Sequence, residues 1–181
     1  MLITINLNGK KIVDDVPADT LLIDFVRAHG CKSVKRGCET ANCGLCTVFM
    51  DERPILSCSM LAARASGHSI TTLEGLQDEA AEFGAFIADQ GAEQCGFCNP
   101  GFIMNALALF REKEYPTEEE IKEYLAGNLC RCTAMRVSCA AFSRSSHGKS
   151  RRRRARHEGR KQTAAQKGRD AARHRSAGVH G

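Results

Sequence analysis

The sequence predicts an α+β protein: a strand-rich N-terminal half, a helical segment after it, and a basic tail that belongs to neither. Three observations carry that reading. Apolar and polar residues alternate around two-residue turn signals in the first 76 residues; from Asp78 the apolar period lengthens to that of a helix; and the charge changes sign after Thr133. Residues 1–133 hold 12 Lys+Arg against 19 Asp+Glu, a net −7, whereas residues 134–181 hold 14 against 2, a net +12, so the overall +5 describes neither part. Such a shift marks a boundary. The segments are therefore 1–76, 77–133 and 134–181.

Ile3, Ile5 and Leu7 alternate with Thr4 and Asn6, which makes a half-buried strand, and Asn8-Gly9 supplies a tight hairpin turn into a second strand, Lys10 to Val13. Asp19 or Thr20 is expected to cap a helix that turns Leu21, Leu22, Phe25 and Val26 inward and ends at Gly30. Thr47 to Met50, a turn at Asp51-Glu52, and Pro54 to Leu56 form a second hairpin, and Ser69 to Thr72 a short last strand. In the helical segment Ala80, Phe83, Ile87 and Ala88 share a face that closes at Gly91. Pro100 opens a helix carrying Phe102, Ile103, Ala106, Leu107 and Phe110; Thr117 with Glu120 is a capping box for another, with Ile121, Tyr124 and Leu125.

Eight of the ten cysteines fall into two quartets. Cys95-Gly96-Phe97-Cys98 and Cys130-Arg131-Cys132 lie one pair of helices apart, as four thiolates for one metal centre. The single residue between Cys130 and Cys132 suits an iron–sulfur cluster better than a zinc ion, although this quartet alone leaves zinc open. Cys38-x4-Cys43-x2-Cys46, followed by Cys58, settles the metal: it has the plant-type 2Fe–2S spacing. Gly37 and Gly44 crowd that loop and are expected to let backbone N–H groups turn toward the sulfurs.

The stretches GCETANCGLC, QCGFCNPG and AGNLCRCT, with ITTLEGL at 70–76, resemble the iron–sulfur subunit of the molybdenum hydroxylases over residues 2–133. That family includes xanthine dehydrogenase, aerobic carbon monoxide dehydrogenase and the nicotinate- and aldehyde-oxidising enzymes. The resemblance implies a β-grasp 2Fe–2S ferredoxin domain followed by a helical-bundle 2Fe–2S-binding domain. It implies an electron-transfer subunit, serving oxidation of a purine, N-heterocycle, aldehyde or CO, without a substrate-converting site of its own. The implied partners are a molybdenum–pterin large subunit and an FAD-containing medium subunit, in a heterotrimer or a dimer of heterotrimers. The quartet Cys95, Cys98, Cys130 and Cys132 would lie toward the pterin, with Gln94 as a possible pterin contact; Cys38, Cys43, Cys46 and Cys58 would face the flavin. Asn99 stands where the family often has Thr, and Glu39-Thr40-Ala41-Asn42 replaces a more glycine-rich loop. A free-standing two-cluster ferredoxin and a zinc-bound nucleic-acid module are the competing readings.

After Thr133 the family usually continues into a fourth helix, which is not written here. Arg151 to Arg154 and the Arg-, Ala-, His-, Gly- and Ser-rich run around them read as a disordered cationic tail, for which translation in a shifted frame is the favoured explanation. A nucleic-acid or partner-binding arm is the alternative; with no aromatic beyond Phe142 it would bind polyanions without specificity. Without that helix, the other three are expected to expose apolar faces and the C-terminal half to fold poorly. No signal peptide or membrane span is visible, so metal-bound thiols in the cytoplasm are the expectation. No carboxylate pair, nucleophile–base pair or phosphate loop is present; His29 and His68 are isolated, and Cys31 and Cys139 stand outside both quartets.

Overall fold

The computed structural model describes residues 1–113 and 116–130. The expectations for Cys132, the tail and the missing fourth helix lie outside the described residues. Five strands, β1 (Leu2–Leu7), β2 (Lys10–Asp15), β3 (Thr47–Met50), β4 (Arg53–Leu56) and β5 (Ser69–Thr71), form one sheet in the order β2-β1-β5-β3-β4. β1 and β5 run parallel at its centre and the other pairs are antiparallel. Both hairpins turn as the sequence predicts: Asn8 and Gly9 have φ of 49° and 80°, Asp51 and Glu52 of 47° and 68°, the left-handed pair that matches strand twist.

Helix α1 (Leu22–Ala28) lies on this sheet and buries Leu22, Ile23, Phe25 and Val26 against Ile3, Ile5, Val48 and Ile70. A helix grasped by a mixed sheet is the β-grasp architecture the resemblance implies. Its start differs from expectation. Neither Asp19 nor Thr20 caps it; the N-cap is Leu21, with no side-chain bond. Thr20 is engaged elsewhere, its N–H closing a turn on the Pro17 carbonyl and its own carbonyl accepting from Ala62, while Leu21 bridges to Leu61. Tertiary pairing replaces the local cap. The C-terminus closes as predicted: Gly30, at φ 92°, lets the N–H of Cys31 reach the Val26 carbonyl at 3.0 Å.

The helical segment comprises α2 (Gln77–Asp89), α3 (Asn99–Glu112) and α4 (Glu118–Tyr124). Ala80, Phe83 and Ile87 of α2 are buried, but Ala88 is exposed, because it lies five residues past Phe83 and has turned out of the stripe; Ala92 fills that side. The Thr117–Glu120 capping box forms with both of its bonds. α3 is the centre of the second core: Phe102, Ile103, Met104, Ala106, Leu107, Ala108 and Leu109 are all buried. The expected open apolar faces are not found among the described residues, and the sheet contributes to their cover. Phe49 of β3 belongs to the helical core, and Arg111 of α3 lies over its ring at 4.8 Å while pairing with Glu52 and Glu79. Among the described residues from 77 on, only Phe97 (49 %) and Leu129 (53 %) are large exposed apolar side chains. Both adjoin quartet cysteines in the chain.

A part-buried joint ties the β1–β2 turn and the loop after α1 to the segment that follows β5. Asn8 and Thr72 exchange two 2.9 Å hydrogen bonds, and the Glu74 carboxylate accepts from the Ser33 N–H (2.8 Å), the Ser33 hydroxyl (2.6 Å) and the Thr72 hydroxyl (2.7 Å). Burial pushes that carboxyl up, but the three donors outweigh it and the net shift is downward.

Candidate metal centres

The loop from Gly37 to Cys46 is folded around its sulfurs. The Asn42 N–H donates to Cys38 Sγ at 3.4 Å, and the Thr40 and Asn42 N–H groups, with the Cys43 thiol, hold Cys38 at about 6, well below the ordinary thiol range. Burial pushes Cys43 up, opposed by the Leu45 N–H. The donors include the backbone N–H groups of Thr40, Asn42 and Leu45. The two glycines give the loop the room to close. A Cβ on Gly37 would meet the Leu45 side chain and stand 3.1 Å from Cys43 Sγ; one on Gly44, whose φ is 69°, would stand 2.5 Å from Asn128 Nδ2 and 2.8 Å from the Gly127 carbonyl. Glu39 and Ala41 also take positive φ, 57° and 58°, a conformation glycine would adopt with less strain.

β3 leads out of this loop and β4 returns to it, delivering Cys58 on the short 3₁₀ turn Ser57–Ser59. Ser57 fixes the junction, its N–H (3.2 Å) and hydroxyl (2.7 Å) both donating to the Cys46 carbonyl. Burial pushes the Cys46 thiol up to about 12, with the Cys58 sulfur beside it raising it further. Cys38 thus neighbours Cys43, and Cys46 neighbours Cys58, with Cys43 near enough to Cys46 to act on its charge.

In the second set, Gly96 (φ 70°) makes the turn between Cys95 and Cys98, and Cys98 is the N-cap of α3. Cys95 and Gln94 are exposed; Cys98 is partly buried. Burial pushes Cys98 up to about 11, and the neighbouring Cys130 sulfur adds to it. Cys130 arrives after α4, where the Leu129 N–H donates to the Cys43 carbonyl at 3.0 Å and Asn105 Nδ2 donates to Asn128 Oδ1 at 2.6 Å. Cys43, Cys98, Asn128 and Cys130 line one crevice, so the two cysteine sets are neighbours. That adjacency, made by Gly44, Gly101 and Asn128, has no signal in the cysteine spacing.

The eight described cysteines are all free thiols. Among the described residues no three His, Cys, Asp or Glu side chains converge on a site for a single metal ion. The donor chemistry nevertheless fits a sulfide-bridged iron pair: thiols only, adjacent in twos, with backbone N–H groups aimed at sulfur. His29 and His68 contribute nothing to either set; His29 bonds the Phe25 carbonyl at 2.8 Å and His68 meets Asp51 at 2.6 Å. Cys31 is buried beneath Asn8, whose amide donates to its sulfur at 3.5 Å.

Residues 5–70 match the family described as 2Fe-2S iron-sulfur cluster binding domain, and residues 72–143 the family described as [2Fe-2S] binding domain. Fold and site together define an iron–sulfur protein with two 2Fe–2S-binding domains in tandem. The nicotinate dehydrogenase small FeS subunit of Eubacterium barkeri is 40 % identical over 134 residues, covering 72 % of this chain and 85 % of that one. The xanthine dehydrogenase iron-sulfur-binding subunit of Escherichia coli O157:H7 is 42 % identical over 135 residues, with the same coverage of 72 % and 85 %. The quinoline 2-oxidoreductase of Pseudomonas putida 86 superposes with a TM-score of 0.76 at 35 % identity, covering 84 % of this chain and 96 % of that one. The chain belongs to the small iron–sulfur subunits of the molybdenum hydroxylase, or xanthine dehydrogenase, family.

Proposed function

We propose that this chain conducts electrons from a molybdenum–pterin subunit to an FAD-containing subunit, Cys38, Cys43, Cys46 and Cys58 holding one 2Fe–2S centre and Cys95, Cys98, Cys130 and Cys132 the other. Such a centre supplies one-electron redox chemistry when bound. The carrying observation is the contact between the two cysteine sets: the Leu129 N–H donates to the Cys43 carbonyl, one residue from Cys130, in a crevice that Cys43, Cys98 and Cys130 share. The chain's own residues fix that spacing, shield Cys43, Cys46 and Cys58 from water, and leave Cys95 at the surface.

The exposed Gln94, Cys95, Phe97 and Leu129 mark the face for the pterin subunit, with Gln94 as its polar contact. The exposed 39–42 loop beside Cys38 would face the flavin subunit. The substrate, a small purine, N-heterocycle, aldehyde or CO, would be selected in the pterin subunit; relatives named for nicotinate, xanthine and quinoline point to N-heterocycles. No described helix is long and apolar enough to cross a membrane, and the cytoplasm is the proposed location. The test is EPR of the reduced protein, purified with its partners. Two distinct 2Fe–2S signals from about four irons per chain are expected, Cys95→Ser removing one and Cys38→Ser the other. Two irons in a single centre would refute the reading.

A further inference from the structure

Glu93 and Asn99 bracket the Cys95–Cys98 turn and are bonded across it. Asn99 Nδ2 donates to Glu93 Oε2 at 2.7 Å, and the other end of the same amide, Oδ1, faces Cys98 Sγ at 3.8 Å. The order of these contacts matters. As a thiol, Cys98 donates weakly to Oδ1; as an iron-bound thiolate it becomes an acceptor and gains from an N–H instead. The Glu93 carboxylate accepts only, so it retains the amide N–H for itself and turns the carbonyl toward the sulfur. It also places a negative charge one side chain away from that sulfur.

We propose that Glu93, acting through Asn99, is a positioning residue that lowers the reduction potential of the helical-domain centre. This rests on the ligand assignment above. Reduction adds one electron and no other charge, so a fixed carboxylate and a side-chain amide that turns its carbonyl rather than its N–H toward Cys98 both oppose it. Neither effect extends equally to the β-grasp centre, where backbone N–H groups, those of Thr40, Asn42, Leu45 and Cys58 among them, face the sulfurs.

EPR-monitored redox titration of the assembled complex separates the terms. Glu93→Gln keeps an acceptor for Asn99 and removes the charge; Glu93→Ala removes both and frees the amide to rotate and donate to sulfur. The midpoint of the helical-domain signal is expected to rise in Glu93→Gln by about tenfold in the reduced-to-oxidised ratio, ~59 mV for a one-electron couple, and further in Glu93→Ala. Asn99→Ala, which releases the carboxylate, is expected to raise it as well. The β-grasp signal serves as internal reference. An unmoved or lowered helical midpoint in Glu93→Gln, equal shifts in both signals, or an Asn99→Ala variant indistinguishable from wild type would each overturn the proposal. Absence of two signals in the unsubstituted protein would instead refute the ligand assignment.

Discussion

Gly101 lies in the first turn of α3 against the backbone of the Cys43–Leu45 loop. A Cβ there would stand 2.9 Å from Leu45 Cα and closer still to the Gly44 carbonyl oxygen, and neither is a side-chain end that can swing away. In an open helix Gly→Ala gains about 1 kcal/mol. Here the clash forces α3 off the loop, at the ~1–3 kcal/mol typical of overpacking. Gly101→Ala is therefore expected to be destabilising, by up to about 2 kcal/mol, read from the urea midpoint. A neutral or stabilised variant would show that the helix is free to shift. QCGFCNPG marks this glycine only as part of a motif; the loop it touches is more than fifty residues away in sequence, so its packing role is invisible there.

At the scale of elements, the two hairpins and α4 are locally encoded. Asn8-Gly9 and Asp51-Glu52 adopt their turns from sequence chemistry, and the Thr117–Glu120 box forms as written. The box also has an acid signature. Lys113, at 2.6 Å, then the Thr117 N–H and hydroxyl hold the Glu120 carboxyl down to about 2. A depressed carboxylate contributes stability above its unfolded value near 4.3, and the contribution is lost as pH falls toward 2. Thr117→Ala removes a cap worth about 1 kcal/mol at neutral pH. Because the variant also lacks one of Glu120's stabilising contacts, its stability is expected to fall less than wild type's between about pH 4.5 and 2 in acid titrations followed by circular dichroism. An identical acid profile would show that the box does not hold Glu120. Where a cap competes with long-range pairing the outcome reverses, as at α1, whose Thr20 is drawn to Ala62 instead.

At the scale of the molecule, the two domains share structure. Phe49 of the sheet sits in the helical core, Arg111 spans β3–β4 and α2, and the Leu129–Cys43 bond joins the two cysteine loops. From the sequence the helical segment looks short of partners for its apolar faces; in the structure the sheet packs against it through Phe49. Limited proteolysis is accordingly expected to leave a protected fragment that spans the sheet and residues 78–130 together. Preferential loss of α2–α4 from an intact β-grasp core would restore the opposite view.

The sequence by itself singled out two cysteine quartets as candidate iron ligands, because cysteine spacing, turn residues and amphipathic period are local properties of the chain. It also determined the order of the two 2Fe–2S-binding domains. The tertiary structure alone decided which backbone groups face the sulfurs, that Asn99 is held by Glu93, and that the two cysteine sets adjoin. Those outcomes depend on close approach between segments far apart in the chain, and packing complementarity of that kind carries no short-range pattern to read.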